Sequence, residues 1–392
     1  MKGFYSSLSC RGLADRSHVE KLIRRLISLG LILMIALGLI LIPGPAVAQG
    51  EPSIDELSVE ADFPESVTFN LEASSTSALS DIRLQYVVKH DSFARVISEA
   101  KPVFEPSPRI STSWTWDMRQ SGGLPPGAEI EYWWVIKDAA GKSVASEPEV
   151  FKFNDTRFKW RSVSQGNLTL NWYHGAEAKA RSLLNDALEG LAGLEARTGA
   201  KLVKPVNVYV YADTDDMLGA MIFPQEWIGA ATYTDFAAII IGLSDDNEWN
   251  DKTMVHELAH LISYQLAYGP YANLPVWLTE GFSMYAEGEL DLFSSSTLVA
   301  ALNVDATITV RSLSCPFSAE SELSYLAYAE SYSLIDYLVI TYGHEKLLSL
   351  FTTFKGGAGF DQALLAVYGF DMDGLYNDWL KYALREYVGV GA

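Results

Sequence analysis

The stretch His256-Glu257-Leu258-Ala259-His260 restricts this chain more than any other, because it holds two of only six histidines in 392 residues. Two imidazoles four residues apart share a face on an α-helix, where they stand one turn apart. The flanks agree with a helix. Asp251 to Tyr268 carries helical periodicity, acids and amides precede it, and Gly269-Pro270 stops it. On such a helix the two ring nitrogens converge on a single ion. Glu257, about 100° further round, reaches a water beside that ion instead.

Zinc suits two imidazoles and a carboxylate, with a fourth position open to water that Glu257 would deprotonate as general base. The third ligand is expected from the next segment, Leu274-Pro275-Val276-Trp277-Leu278-Thr279-Glu280-Gly281-Phe282. Pro275 is placed to open a helix, which sets Glu280 one to two turns in, on a second helix facing the first. Glu287 follows seven residues later on the same face. It either orients a ligand or is a solvent-facing charge.

His256-Glu-Leu-Ala-His260 followed by Trp277-Leu-Thr-Glu280-Gly281 resembles the gluzincin metallopeptidases, in particular the peptidase MA-like domains related to the aminopeptidase and thermolysin groups. The resemblance implies one zinc ion per chain held by His256, His260 and Glu280, with Glu257 as catalytic base. A second block, Tyr328-Ala-Glu-Ser331-Tyr-Ser-Leu-Ile-Asp-Tyr337-Leu338 and then Gly343, is similar to the family helix that carries a transition-state tyrosine. Tyr328 matches that tyrosine, with Tyr325 and Tyr332 as neighbouring rivals. It would donate to the oxyanion of the reacting peptide. Two departures stand out. Between His260 and Glu280 lie 19 residues, one more than is usual in the aminopeptidase-type members. The chain also lacks the Gly-x-Met-Glu-Asn segment with which those members anchor a free amino group, so an endopeptidase is favoured and an aminopeptidase left open.

The amino terminus bears on where this chemistry takes place. After Arg24 and Arg25 runs an uncharged apolar stretch at residues 26–42, then Pro43-Gly44-Pro45 and Ala46-Val47-Ala48. Basic flank, apolar stretch and small residues make residues 1–48 a signal peptide cleaved after Ala48, or an uncleaved membrane anchor. In both readings the rest is extracytoplasmic, secreted or held at the cell surface. The chain carries a net charge of −20, and its first 48 residues are basic, so the exported part is more acidic still. Such a surface excludes a phosphate backbone as partner, and no nucleic-acid role is expected. Cys10 precedes the apolar run and Cys315 is alone after it, so no intramolecular disulfide is expected; Cys315 reads as a buried or partly buried small apolar residue.

Residues 49–155 read as short alternating strands separated by Gly- and Pro-rich turns, an immunoglobulin- or fibronectin-like sandwich. Its aromatics Trp114, Trp116, Tyr132, Trp133 and Trp134 suit the sandwich core better than a carbohydrate platform. Residues 156–392 change to mixed texture: strands at 167–173, 206–212 and 237–242, a helix at 176–198, and nearly continuous helix from Asp251 on. The fold class expected is therefore multidomain, an N-terminal all-β sandwich plus an α+β domain, zincin-like by the resemblance, with a mainly helical C-terminal half. The resemblance further suggests that the 237–242 strand flanks the cleft and pairs with a peptide. Asp245, Asp246, Glu248 and Asp251 lack calcium-loop spacing and read as acids at a helix start. The function expected is an extracytoplasmic zinc peptidase acting on a peptide or protein. The alternative is a catalytically silent surface binding or adhesion protein that uses the metal domain as a scaffold.

Overall fold

A computed structural model describes residues 50–224, 228–318 and 320–389. The apolar run at 26–42, the cleavage site at Ala48 and Cys10 lie outside these residues. Among the described residues no helix is long and apolar enough to cross a membrane. Pro52 to Ala392 form one compact unit.

Eight strands open this unit: β1 (Ser53–Asp62), β2 (Ser66–Ser74), β3 (Leu79–Lys89), β4 (Ser98–Ala100), β5 (Arg109–Asp117), β6 (Ala128–Asp138), β7 (Ser143–Ala145) and β8 (Glu149–Phe153). They pair antiparallel as β1-β2-β5 in one sheet and β4-β3-β6-β7 in the other, with β8 also on β6. Strand alternation explains the packing, since every second residue faces inward. On β2 these are Val67, Phe69, Leu71 and Ala73, and on β6 Ile130, Tyr132, Trp134 and Ile136, all buried. Trp114 and Trp116 stack on Tyr86 at 5.5 and 5.1 Å as part of the sandwich packing. Trp133 lies on the opposite face of β6 and donates to Gln85.

The next layer is a mixed sheet of β9 (Arg161–Gln165), β10 (Leu168–Trp172), β11 (Val206–Tyr211), β12 (Ala230–Tyr233) and β13 (Ala238–Gly242), in the order β12-β13-β11-β10-β9. The three inner strands run parallel and both edges antiparallel. Between the strands lie α1 (Glu177–Thr198) and α2 (Thr214–Leu218). Ile239 and Ile241 face α1 and the helices beyond it, whereas Ile240, Tyr209 and Tyr211 join the core of the sandwich. An unbroken apolar run is what a strand buried on both faces requires. That burial corrects one expectation: the 237–242 strand lies inside the sheet, and β12 is the edge strand. β12 escaped the reading because Ala-Ala-Thr-Tyr is short and weakly apolar.

The helical half follows, with α3 (Asn247–Ala267), α4 (Val276–Glu287), α5 (Leu292–Asn303), α6 (Val310–Leu313), α7 (Ser321–Tyr342), α8 (His344–Lys355), α9 (Phe360–Val367) and α10 (Met372–Ala383). α3 starts four residues earlier than its periodicity suggests. Asp246 caps it by accepting from the N–H groups of Glu248 and Trp249, so the acidic stretch belongs to a helix start. Pro275 is the N-cap residue of α4. Cys315 departs from expectation and is exposed, because it sits in the turn after α6 with its N–H on Ser312 O.

Candidate metal centre

α3 turns by about 100° per residue and so divides its side chains among three faces. Met254, Leu258 and Leu261 pack on the mixed sheet, and Val255, Ala259 and Ile262 pack into the helical core. The remaining face carries His256, Glu257, His260 and Tyr264, all of which line a cavity of about 440 Å³. Burial on two faces fixes the third. The histidine rings stand 4.9 Å apart, and each Nε2 lies 3.5 Å from Glu280 Oε2 on α4.

Glu280 arrives there because α4 packs closely on α7. A side chain at Gly281 would meet Ser331 O at 2.3 Å, so only hydrogen is accommodated at the crossing. Trp277, Leu278 and Phe282 bury the rest of that helix. His256, His260 and Glu280 each offer one atom, all within 4.8 Å of one another, the one such group among the described residues. Donor atoms sharing a tetrahedral ion at bond lengths of about 2.0–2.1 Å stand about 3.3 Å apart. The two nitrogen-to-oxygen spacings of 3.5 Å suit that requirement, and the N2O donor set suits zinc.

Glu287 resolves the choice left open by the sequence, since its Oε1 accepts from His256 Nδ1 at 2.6 Å. That contact holds the ring and leaves Nε2 turned toward His260 and Glu280. Burial lowers the His256 pKa, but hydrogen bonds to Glu280 and Glu287 outweigh it and raise the value well above the ordinary one. Burial likewise opposes ionisation of Glu280, yet the charge of His260 and the hydrogen bonds from both histidines hold its carboxyl far below the usual range.

Glu257 is buried beside these three, and its Oε2 accepts from Thr232 Oγ1 of β12 at 2.5 Å. Tyr328 of α7 lines the same cavity, with its ring centroid 6.3 Å from that of His256. Of its rivals, Tyr325 is 49% exposed and packs on Phe293, and Tyr332 packs on Tyr285. Burial, then the charges of Glu280, Glu257 and Glu287, push the Tyr328 hydroxyl well above its ordinary pKa. It remains a hydrogen-bond donor throughout the physiological range. Ala230 and Thr232 bring the edge strand, and Thr234 just after it, to the cavity. Sequence reading missed Thr232 and Tyr264. Tyr264 was within reach, four residues beyond His260 on the same helical face; Thr232 carries no local signal.

The family model of the Peptidase MA superfamily matches residues 186–385. No curated protein matches the sequence. Among solved structures, OgpA from Akkermansia muciniphila aligns at 10% identity over 27% of this chain and 28% of its own, with a TM-score of 0.21. The chain thus spans under a third of that relative's length. An M1 zinc metallopeptidase from Deinococcus radiodurans aligns at 14% identity over 86% of this chain and 96% of its own, with a TM-score of 0.40. A mutant of that metallopeptidase bound to a Tyr-Ser-Ala substrate aligns at 12% identity over 84% and 94%, with a TM-score of 0.39.

Proposed function

The chain belongs to the Peptidase MA superfamily, and from that premise we propose that it is an extracytoplasmic zinc-dependent peptidase with Glu257 as general base. One observation carries the reading: two imidazole Nε2 atoms each lie 3.5 Å from one carboxylate oxygen while a second carboxylate, Glu257, lines the same cavity. His256, His260 and Glu280 would hold the metal, and Glu287 would orient His256. Zinc, when bound there, supplies Lewis acidity that a neutral-pH attack on a peptide bond needs.

The remaining work falls to the chain's own groups. Glu257 takes the proton of the attacking water and returns it to the leaving nitrogen, with Thr232 holding its carboxylate in line. Tyr328, kept protonated, donates to the developing oxyanion. β12 has one edge unpaired among the described residues, and a substrate in extended conformation can add to it by backbone hydrogen bonds. Export through residues 1–48, by cleavage or by anchoring at 26–42, completes the proposal.

The test is metal content and cleavage of a mixed peptide library for wild type, His260→Ala and Glu257→Gln. The expected outcome is one zinc per wild-type chain with cleavage, loss of both in His260→Ala, and zinc without turnover in Glu257→Gln. Stoichiometric zinc with no cleavage by wild type would instead establish the silent scaffold.

A further inference from the structure

A second chamber of about 420 Å³ adjoins the metal cavity and shares Tyr264 and Leu274 with it. Its far wall is built by the sandwich, through the segment that links β3 to β4. Phe93 from that segment, itself 56% exposed, stacks on Tyr268 at 4.4 Å. The segment is pinned two residues before the phenylalanine: Asp91 N–H donates to Asp235 O at 2.7 Å, and Asp91 Oδ2 accepts from Lys204 Nζ at 2.6 Å. An exposed aromatic ring held by backbone and ionic contacts at the end of a substrate cleft is poised for a ligand surface.

The charges of the chamber are unequal. Lys204 is already engaged by Asp91 and lies over the Tyr268 ring at 4.5 Å. Asp235, two residues past the end of the edge strand β12, lines the chamber with its side chain half exposed. Among the described residues, the basic side chain that approaches its carboxylate is His90, with Nδ1 4.0 Å away. Asp235 and Asp91 both act on Tyr264: burial first, then its hydrogen bond to Asp235 and the two negative charges, push that hydroxyl well above its ordinary pKa. The chamber thus combines aromatic faces with a carboxylate that no lysine or arginine pairs with among the described residues. That pairing suits a long side chain with an apolar stem and a positive end.

We propose that this chamber is a subsite for a lysine or arginine side chain of the substrate, its stem lying against Phe93, Tyr264 and Tyr268 and its cation meeting Asp235. The inference rests on the peptidase reading and adds to it a substrate class and a role for the sandwich. A peptide seated along β12 passes Thr234 and Asp235 as it leaves the metal cavity, within reach of one or two extended residues at about 3.3–3.6 Å each.

The experiment uses the full chain and peptides blocked by acetylation and amidation, identical except for Lys, Arg, Leu or Glu at each position around the cleaved bond. At one position Lys and Arg are expected to exceed Glu in kcat/KM by at least tenfold, an advantage that shrinks with added salt. Asp235→Asn should reduce the Lys-to-Leu ratio about tenfold, and Asp235→Lys should turn the preference toward Glu. Phe93→Ala, on an exposed segment, should raise KM for the Lys and Arg peptides more than for Leu. Equal cleavage of Lys, Leu and Glu peptides, or a preference untouched by Asp235→Asn, overturns the subsite while leaving the peptidase standing. A preference seen only with unblocked amino termini would assign the cation to the α-ammonium group and overturn it as well. Cleavage of no peptide removes the peptidase and the subsite together.

Discussion

Two side chains on α7, two residues apart, show how one helix serves the cavity and the core by different physics. Tyr328 faces the cavity, and its hydroxyl, pushed up by partial burial and the neighbouring carboxylates, stays protonated. Under the proposed mechanism, Tyr328→Phe is expected to lower kcat about 10²- to 10³-fold with little change in KM, because an oxyanion donor acts in the transition state and not in substrate binding. Steady-state kinetics on a cleaved peptide reads this directly. Glu330 faces the core and is fully buried, with both carboxylate oxygens 3.0–3.1 Å from the Ile308 N–H. Burial pushes its pKa from 4.5 up to about 8, the Ile308 N–H pulling partly the other way. The folded chain therefore holds a proton that the unfolded chain releases, and the contribution of Glu330 to stability falls as pH rises from about 4.5 to about 8, then levels. Glu330→Gln keeps an acceptor for Ile308 without a titrating proton. Urea unfolding of wild type and variant at pH 5, 6.5 and 8 should show the wild type losing stability, on the order of a few kcal/mol, relative to a flatter variant.

At the level of the element, the crossing of α4 over α7 decides whether the site exists. Glu280 and Gly281 are neighbours, so the residue that contacts the histidines and the residue that permits the close approach are a single turn of one helix. Gly281→Ala inserts a methyl 2.3 Å from Ser331 O and 2.9 Å from Ile335 Cγ1. Backbone at that distance cannot rotate away, so α4 must move. The expected result is a loss of about 1–3 kcal/mol in stability, as for other overpacked interiors, and weaker zinc affinity because Glu280 moves with its helix. Denaturant melts together with competition by a chelator measure the two effects separately. A merely propensity-driven change would act in the opposite direction, since Ala is the better helix former.

For the whole molecule, the sandwich and the mixed sheet share one hydrophobic core. Tyr209, Tyr211, Met217 and Ile240 from the second region pack with Val67, Phe69, Ile130 and Trp134 of the first. The connection is fixed as well: Asp155, wholly buried, pairs with Arg157 at 2.7 Å and accepts from Tyr211 OH at 2.9 Å. A fragment spanning residues 156–392 is therefore expected to aggregate or to lose fixed tertiary packing, because the apolar face of its sheet is stripped. Near-UV circular dichroism and size-exclusion chromatography beside the full chain test this; a monomeric fragment with native-like spectra would show that the shared core is dispensable.

Local order was legible wherever chemistry and periodicity coincide. His256 and His260 four residues apart, Gly269-Pro270 after them, Pro275 before Glu280 and the alternating strands of the sandwich all act through neighbours in the chain, so the sequence alone determined a helix with two convergent imidazoles and an all-β region before it. It did not determine which strand forms the sheet edge, since Ile239-Ile240-Ile241 is apolar whether buried on one face or two. It favoured Tyr328 over Tyr325 and Tyr332 by resemblance alone, and it did not tell a Glu287 that contacts His256 from a surface charge. Those choices depend on contacts between segments tens of residues apart, Gly281 on Ser331, Glu287 on His256, Thr232 on Glu257. Only the packing of separate elements decides them, because a side chain's role there is set by what the rest of the chain brings to meet it.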